Sequence, residues 1–364
     1  MEFGITCARV DDVGLVKHAE NLGYDFCWAT DSPMLRSNPF VVLALAAQQT
    51  RTIRLGLGVA VPGLRLAPEL ANGIASINTL APGRTFLGIG TGNTAMRTLG
   101  RVPMRVKPFG RYIRQVKGLL DGEEIQLPVS SDEGADPAHT TTHAVRFQNP
   151  SLRYVNLDDP IPIHVGGFGP RAQALAGELG DGLITGIPRG GTVDQALTNV
   201  HRGAARTGRD LRHFKTTALV NLMMLEPGET LSSARVIAEC GPAIMANVHY
   251  LVDLARETGA SPPDYVLPIW EEYLAFHRRR DAAHSHQKLH ESHYSYLDPE
   301  EARFVTPEMI KTFCIAGQPE EIVEQLQSLQ QAGLDAISFI APDELKYRLH
   351  EDFARRVISR MRGL

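Results

Sequence analysis

Four side chains of this 364-residue chain have types suited to proton transfer, at places where a fold could expose them. Asp31 follows the apolar run Tyr24–Thr30, and His164 lies inside the run Ile161–Val165. His290 and His293 stand three apart in a stretch that also holds His277, His284 and His286. Histidine is a natural acid or base because its pKa lies near neutrality. His286, His290 and His293 share a helical face at spacings of four and three. That stretch reads as a solvated helix beside Arg278-Arg279-Arg280, as a lid over an active site, or as a metal site. No HExxH pattern occurs, and no metal is expected. Asp31 reads as a catalytic group or as a cap for the next loop. His164 reads as cofactor-facing or as a buried structural histidine.

Glycine-rich strand ends supply the second kind of chemistry. They are Gly88-Ile89-Gly90-Thr91-Gly92-Asn93, Gly166-Gly167-Phe168-Gly169-Pro170-Arg171, and Thr185-Gly186 after Gly180-Asp181-Gly182. Glycine lets backbone approach a ligand, and a helix start behind such a turn offers free N–H groups to an anion. Pro170 suits a first helical turn. Gly167, Gly169 and Ala172 match a GxGxxA dinucleotide fingerprint. However, the unit is fifth in the chain, and Asp181 precedes the next strand instead of ending it. A phosphate cradle is the better reading; the alternative is that these glycines only make tight turns. Arg97, Arg101 and Arg105 could reach a phosphate or an acidic tail, or lie in a solvated loop.

The elements that must position these groups alternate regularly. Apolar runs at Glu2–Cys7, Tyr24–Thr30, Ile53–Val61, Thr85–Gly90, Ile161–Val165, Gly182–Thr185, Phe214–Leu222 and Asp335–Ala341 read as strands. Amphipathic stretches between and after them read as helices. Runs such as Ile53–Val61 are apolar on both faces, as in a parallel sheet covered on both sides. Eight βα units predict an α/β fold, a (β/α)8 TIM barrel, with a doubly wound open sheet as the alternative. One domain over residues 1–364 is expected. Insertions are expected near 122–159, a long loop with a little strand, and 226–307, mostly helical. Insertions into βα loops sit at the mouth of a barrel.

Net charge is −4 and the pI about 6.4, so neither nucleic acid nor an anionic membrane is an expected partner. No apolar stretch reaches the roughly 18 residues of a membrane span. The start Met1-Glu2-Phe3 lacks a basic n-region and an apolar h-region, so no leader is expected. Cys7, Cys27, Cys240 and Cys314 lie far apart without a CxxC, and read as free thiols in a reducing cytoplasm.

Taken together, Thr30-Asp31-Ser32, Leu55-Gly56-Leu57-Gly58-Val59-Ala60, Arg65, Pro82-Gly83-Arg84, Leu87–Gly92, His164–Arg171, Ala176–Gly182 and Phe313–Gly317 are familiar in their order and spacing. The set resembles the bacterial luciferase-like superfamily of flavin-dependent oxidoreductases, which includes FMN monooxygenases and deazaflavin (coenzyme F420) enzymes. The resemblance implies a cofactor ring across the barrel mouth. Gly58, Val59 and Ala60 would lie behind the ring, with a non-prolyl cis peptide. Gly90, Thr91, Gly92 and Asn93 would face the cofactor tail. Gly166, Gly167, Phe168, Gly169, Thr185 and Gly186 would hold the phosphate through backbone N–H groups. Many relatives carry histidine after the strand-two aspartate, where this chain has Ser32. That weakens the F420 reading and removes one candidate proton donor. The expectation is therefore an FMN monooxygenase that acts on a small apolar or heteroaromatic substrate with O2. Reduced FMN would come from a separate flavin reductase, and a homodimer is expected. The alternatives are an F420-dependent reductase or dehydrogenase and a non-catalytic flavin-binding barrel.

Overall fold

Eight of the apolar runs pair in parallel and close on themselves. The computed structural model describes residues 1–128, 141–187, 191–280 and 283–363. Its strands are β1 (Glu2–Cys7), β2 (Phe26–Ala29), β3 (Arg54–Ala60), β4 (Thr85–Ile89), β5 (Ile125–Pro128), β6 (Thr142–Val145), β7 (Ile163–Gly166), β8 (Gly182–Gly186), β9 (Lys215–Met224), β10 (Cys314–Gly317) and β11 (Ala336–Phe339). The order β11-β1-β2-β3-β4-β7-β8-β9, with β9 returning to β11, is a closed TIM barrel.

Its interior is filled by aromatics set against glycines. Phe26, Trp28, Phe86 and Ile184 form one buried inner cluster, with the Phe26 and Phe86 rings edge to face at 6.2 Å. A Cβ at Gly56 would stand 2.5 Å from the Phe86 ring, and one at Gly4 would overlap Phe26. Several strand glycines therefore make room for rings, a function that composition alone does not reveal. The opposite strand faces carry Leu55, Leu57, Leu87, Val165 and Leu183, all fully buried beneath the outer helices.

Both irregular intervals contain structure. Within 122–159, β5 and β6 form an antiparallel hairpin; the predicted loop Ser130–Gly134 and Thr140 lie outside the described residues. Strand β10 was not expected. It extends the barrel because β9 is ten residues long: its first half pairs with β11 and Asn221–Met224 pair with β10. The 226–307 interval folds as helices Ala234–Thr258 and Leu267–Arg279 with shorter turns. These surround a second core that includes Val248, Tyr273, Phe276 and Phe304. The four cysteines are free thiols, three of them buried. Among the described residues, no helix is long and apolar enough to cross a membrane.

Candidate active site

Two strand ends approach each other at the C-terminal mouth, and glycine permits it. A Cβ on Gly166, at the end of β7, would lie 3.2 Å from the Gly90 Cα, just past β4. Gly92 has φ +85 and starts the helix Asn93–Thr98, where a side chain would meet Met96 at 2.9 Å. The Gly58–Val59 peptide bond is cis. A cleft of about 1240 Å3 opens here, bordered by Val59, the 90–93 turn, the 166–169 turn and Tyr250.

The backbone qualifies the expected cradle. Gly90 N–H donates to Ala60 O at 3.0 Å and Gly167 N–H to Ile184 O at 2.9 Å, so both amides serve strand pairing. What remains for an anion is the start of the helix Pro170–Leu179. Ala172 and Gln173 donate back to Gly169 O, Pro170 has no N–H, and Arg171 has no helical carbonyl four residues behind it. Gly169 faces open space. Four of the expected cofactor residues do not border the cleft. Gly58 is backed by Trp28, Ala60 is fully buried in the core, and Gly186 is covered by the Phe168 ring at 2.8 Å from its Cβ position. Thr185 follows the inward Ile184 and so points to the outer face. Among the described residues, Asn93 Oδ1 is buried without a hydrogen-bond partner beside the cleft, which fits a ligand donor at that point.

The four candidate proton carriers separate. Asp31 is 3% exposed, and its carboxylate is fully engaged. It accepts from Val61 N–H at 3.0 Å and from both Arg65 Nη atoms, one of them at 2.9 Å. Asp31 thus ties the ends of β2 and β3 together, and no oxygen of it lacks a donor. His164 points into the lower barrel, one inward layer below Gly166, stacked on Phe86 at 5.6 Å between centroids. Its charged neighbours are Asp181, Arg54, Glu2 and Lys215, near the N-terminal ends of the strands. Burial pushes its pKa down to about 4, so it is neutral at pH 7 and remote from the mouth. Of the two readings of His164, cofactor-facing or buried structural histidine, this geometry fits the second.

His290 is 2% exposed and bonded through Nε2 to Asp253 Oδ2 at 2.8 Å. Burial leads its pKa downward, against the pull of Asp253. His293 stands 6.0 Å from it, ring to ring, and is half-buried. It borders a small cavity of about 70 Å3 with Thr6, Thr30, Ser32 and Ile340, at the ends of β1, β2 and β11. Arg36 fixes its backbone by donating to His293 O at 2.6 Å.

The insertion reaches the mouth through pairs that local spacing did not reveal. Arg97, read from sequence as reaching a phosphate or acidic tail or lying in a solvated loop, borders the cleft but binds Glu257 at 2.9 and 2.7 Å and lies 3.3 Å from Asp253. Arg101 is exposed and does not border the cleft, whereas Arg105 does. Behind them, His249 and Tyr273 both bind Glu301, at 3.1 and 2.8 Å. Among the described residues, no group of three or more histidine, cysteine or carboxylate side chains is placed to hold a metal ion. Arg65 was partly legible, since Glu69 lies one turn on at 3.0 Å.

Residues 11–336 match the model of the luciferase-like monooxygenase family. The chain belongs to that family. Among its luciferase-like relatives is the 5,10-methylenetetrahydromethanopterin reductase of Archaeoglobus fulgidus, 28% identical over 91% of this chain and 90% of that protein. The F420-dependent glucose-6-phosphate dehydrogenase of Segniliparus rotundus is 23% identical over 88% of this chain and 83% of its own. The solved coenzyme F420 dependent tetrahydromethanopterin reductase from Methanopyrus kandleri superposes with TM-score 0.64 at 22% identity, covering 99% of both chains. The luciferase-like barrel described above is therefore that of an oxidoreductase family.

Proposed function

We propose that this luciferase-like protein is a coenzyme F420-dependent oxidoreductase that acts on a small organic substrate, in place of the FMN monooxygenase expected from sequence. The observation that carries the reading is the open rim of the cleft. Oxygen activation on a flavin requires a pocket that excludes water. This cleft is larger than an ordinary small-molecule pocket of about 300–1,000 Å3 and is rimmed by exposed Arg105, Lys107, Arg114 and Arg171. The names of the relatives, F420-dependent among them, support the same choice.

When bound, F420 supplies a carbon that accepts or donates hydride. The residues suited to hold it are Val59 behind the ring, Asn93 and the 90–92 turn beside it, and Phe168, Gly169 and Arg171 at the phosphate. His293 is half-buried at the border of a mouth cavity that Ser32 and Ile340 also line, which suits it to hold or move the substrate proton. Arg36 orients it through the backbone.

Titration of the purified protein with F420 and with reduced FMN under air tests the reading. F420 binding without oxygen consumption is expected. Preferential FMN binding with an oxygenated-flavin absorbance would overturn it.

A further inference from the structure

Among the described residues that border the small cavity at His293, one cation stands without a carboxylate at ion-pair distance. The cavity has three guanidinium or ammonium groups on it, from Arg9, Arg36 and Lys346. Arg9 pairs with Asp11 at 2.7 Å, and Lys346 pairs with Asp12 and lies 3.6 Å from Asp343. Arg36, in the loop after β2, donates instead to two neutral acceptors, Ser295 Oγ at 2.5 Å and His293 O at 2.6 Å. Burial pushes its pKa down, and Asp343 offsets this only from beyond contact. On the same cavity, Thr6 Oγ1 and Thr30 Oγ1 are buried without a hydrogen-bond partner among the described residues. Thr6 faces the barrel interior because Ile5 and Cys7, on either side of it, belong to the outer core. One unmatched cation and two unmatched hydroxyls around one space are what an anionic oxygen group would satisfy.

The backbone is strained in support of that space. Tyr294 has φ +61, in the left-handed region that a bulky residue rarely takes. Arg36 holds the residues on both sides of it, and Asp343 N–H donates to Ser295 O at 3.0 Å. The turn brings His293, Tyr294 and Ser295 all to the cavity. Tyr294 also packs with Ala243, Ala246 and Ile340, so an apolar wall stands next to the polar end. The volume, about 70 Å3, is that of roughly five waters at about 10–15 Å3 each, enough for a carboxylate and two carbons.

We infer that this cavity is an anion subsite, in which Arg36 and the Thr6 and Thr30 hydroxyls receive the carboxylate of a small organic acid. That the acid is the substrate rests on the F420-dependent reading; the anion subsite itself does not. Arg36 then determines the substrate class: a short acid is favoured over a neutral alcohol or ketone, with its carbon skeleton against Tyr294 and Ile340 and beside His293. A carboxylate suits the donors better than a phosphate. Its two oxygens match one guanidinium and two hydroxyls, and a phosphate would fill the space and leave no room for carbon.

Calorimetric titration of the full chain with propionate and with propionamide, a neutral molecule of the same shape, tests the subsite without F420. Propionate should bind about tenfold tighter or more, the scale that separates a charged from a neutral hydrogen-bond partner. Arg36→Gln should erase that preference, and Arg36→Lys should keep part of it. Because Arg36 also holds the His293 turn, melting temperatures are read alongside. The double variant Thr6→Val/Thr30→Val leaves the cation and the turn in place and should lower propionate affinity severalfold. Equal affinity for acid and amide in the unmodified protein, or no binding of either, would overturn the subsite. Inorganic phosphate binding tighter than propionate would overturn the carboxylate assignment. With F420 bound, propionate should shift the cofactor's absorbance; bound propionate that leaves it unmoved would make this a site for a free anion and overturn its assignment to the substrate. Failure of F420 to bind would overturn the F420 reading and leave the preference for propionate to be judged by itself.

Discussion

Arg65 holds Asp31 by both carboxylate oxygens, across 34 residues of chain, at the seam between β2 and β3. The Asp31 side chain has no exposed surface and that of Arg65 is 12% exposed, so neither charge has water as an alternative partner. The guanidinium is further packed over the Phe40 ring at 5.4 Å. Removing Asp31 leaves the largely buried Arg65 with only the exposed Glu69 as a carboxylate partner and strips Val61 N–H of its acceptor. Asp31→Ala should cost about 3–5 kcal/mol, read by urea unfolding. A variant as stable as the parent but inactive would instead make Asp31 a chemical participant.

His293 and His290 should part company in kinetics. His293→Gln is expected to lower kcat by about a hundredfold or more, the usual scale for loss of a general acid or base. It should also flatten the acidic or basic limb of the pH–rate profile, with F420 affinity retained. His290→Gln removes the bond to Asp253, and its main effect should be a lowered melting temperature. Equal kcat losses in both, without a change in pH profile, would reassign His293 to structure.

Acid should destabilise the barrel before its carboxylates titrate. Burial holds His164 near 4 and His350 near 3, both below the ordinary histidine value. The folded state therefore resists protonation that the unfolded chain accepts. Stability is fully present above about pH 6.5 and is lost as pH falls toward these folded values, on the order of 3 kcal/mol for each group. Denaturant midpoints measured from pH 7.5 to pH 4.5 should decline across that window. His350→Phe, if it folds, should decline less. A flat profile would mean that both histidines are hydrated in solution.

Two glycines that look equivalent in sequence should respond oppositely. A Cβ at Gly56 meets the Phe86 ring and its backbone oxygen at 2.5 Å, so Gly56→Ala should destabilise the fold by about 1–3 kcal/mol or more. Gly169→Ala meets nothing within 4 Å at a φ of −101, so the melting temperature should hold while cofactor affinity falls. Calorimetry alongside cofactor titration separates the two. A destabilised Gly169→Ala protein with normal affinity would contradict the cleft assignment.

The barrel was legible because its signals are local. Apolar runs, the helical periodicity between them and the glycines at strand ends are each set by residues near one another in the chain. The strand order and most strand bounds therefore followed from the sequence. Strand β10 did not, because four residues pair only thanks to the unusual length of β9.

What the sequence alone determined is the eightfold βα frame and which strand ends carry glycine. Tertiary structure decided the function of each marked residue, since every decisive partner is remote. Asp31 is claimed by Arg65, His290 by Asp253, 37 residues away, and Arg97 by Glu257, 160 residues away. Side-chain direction completes the division. A one-residue change of parity along a strand reverses the face it presents. That parity sends His164 into the lower barrel and Thr185 outward. Gly166 and Gly169 are left to open the mouth toward a cleft walled by cations from four different helices and a loop.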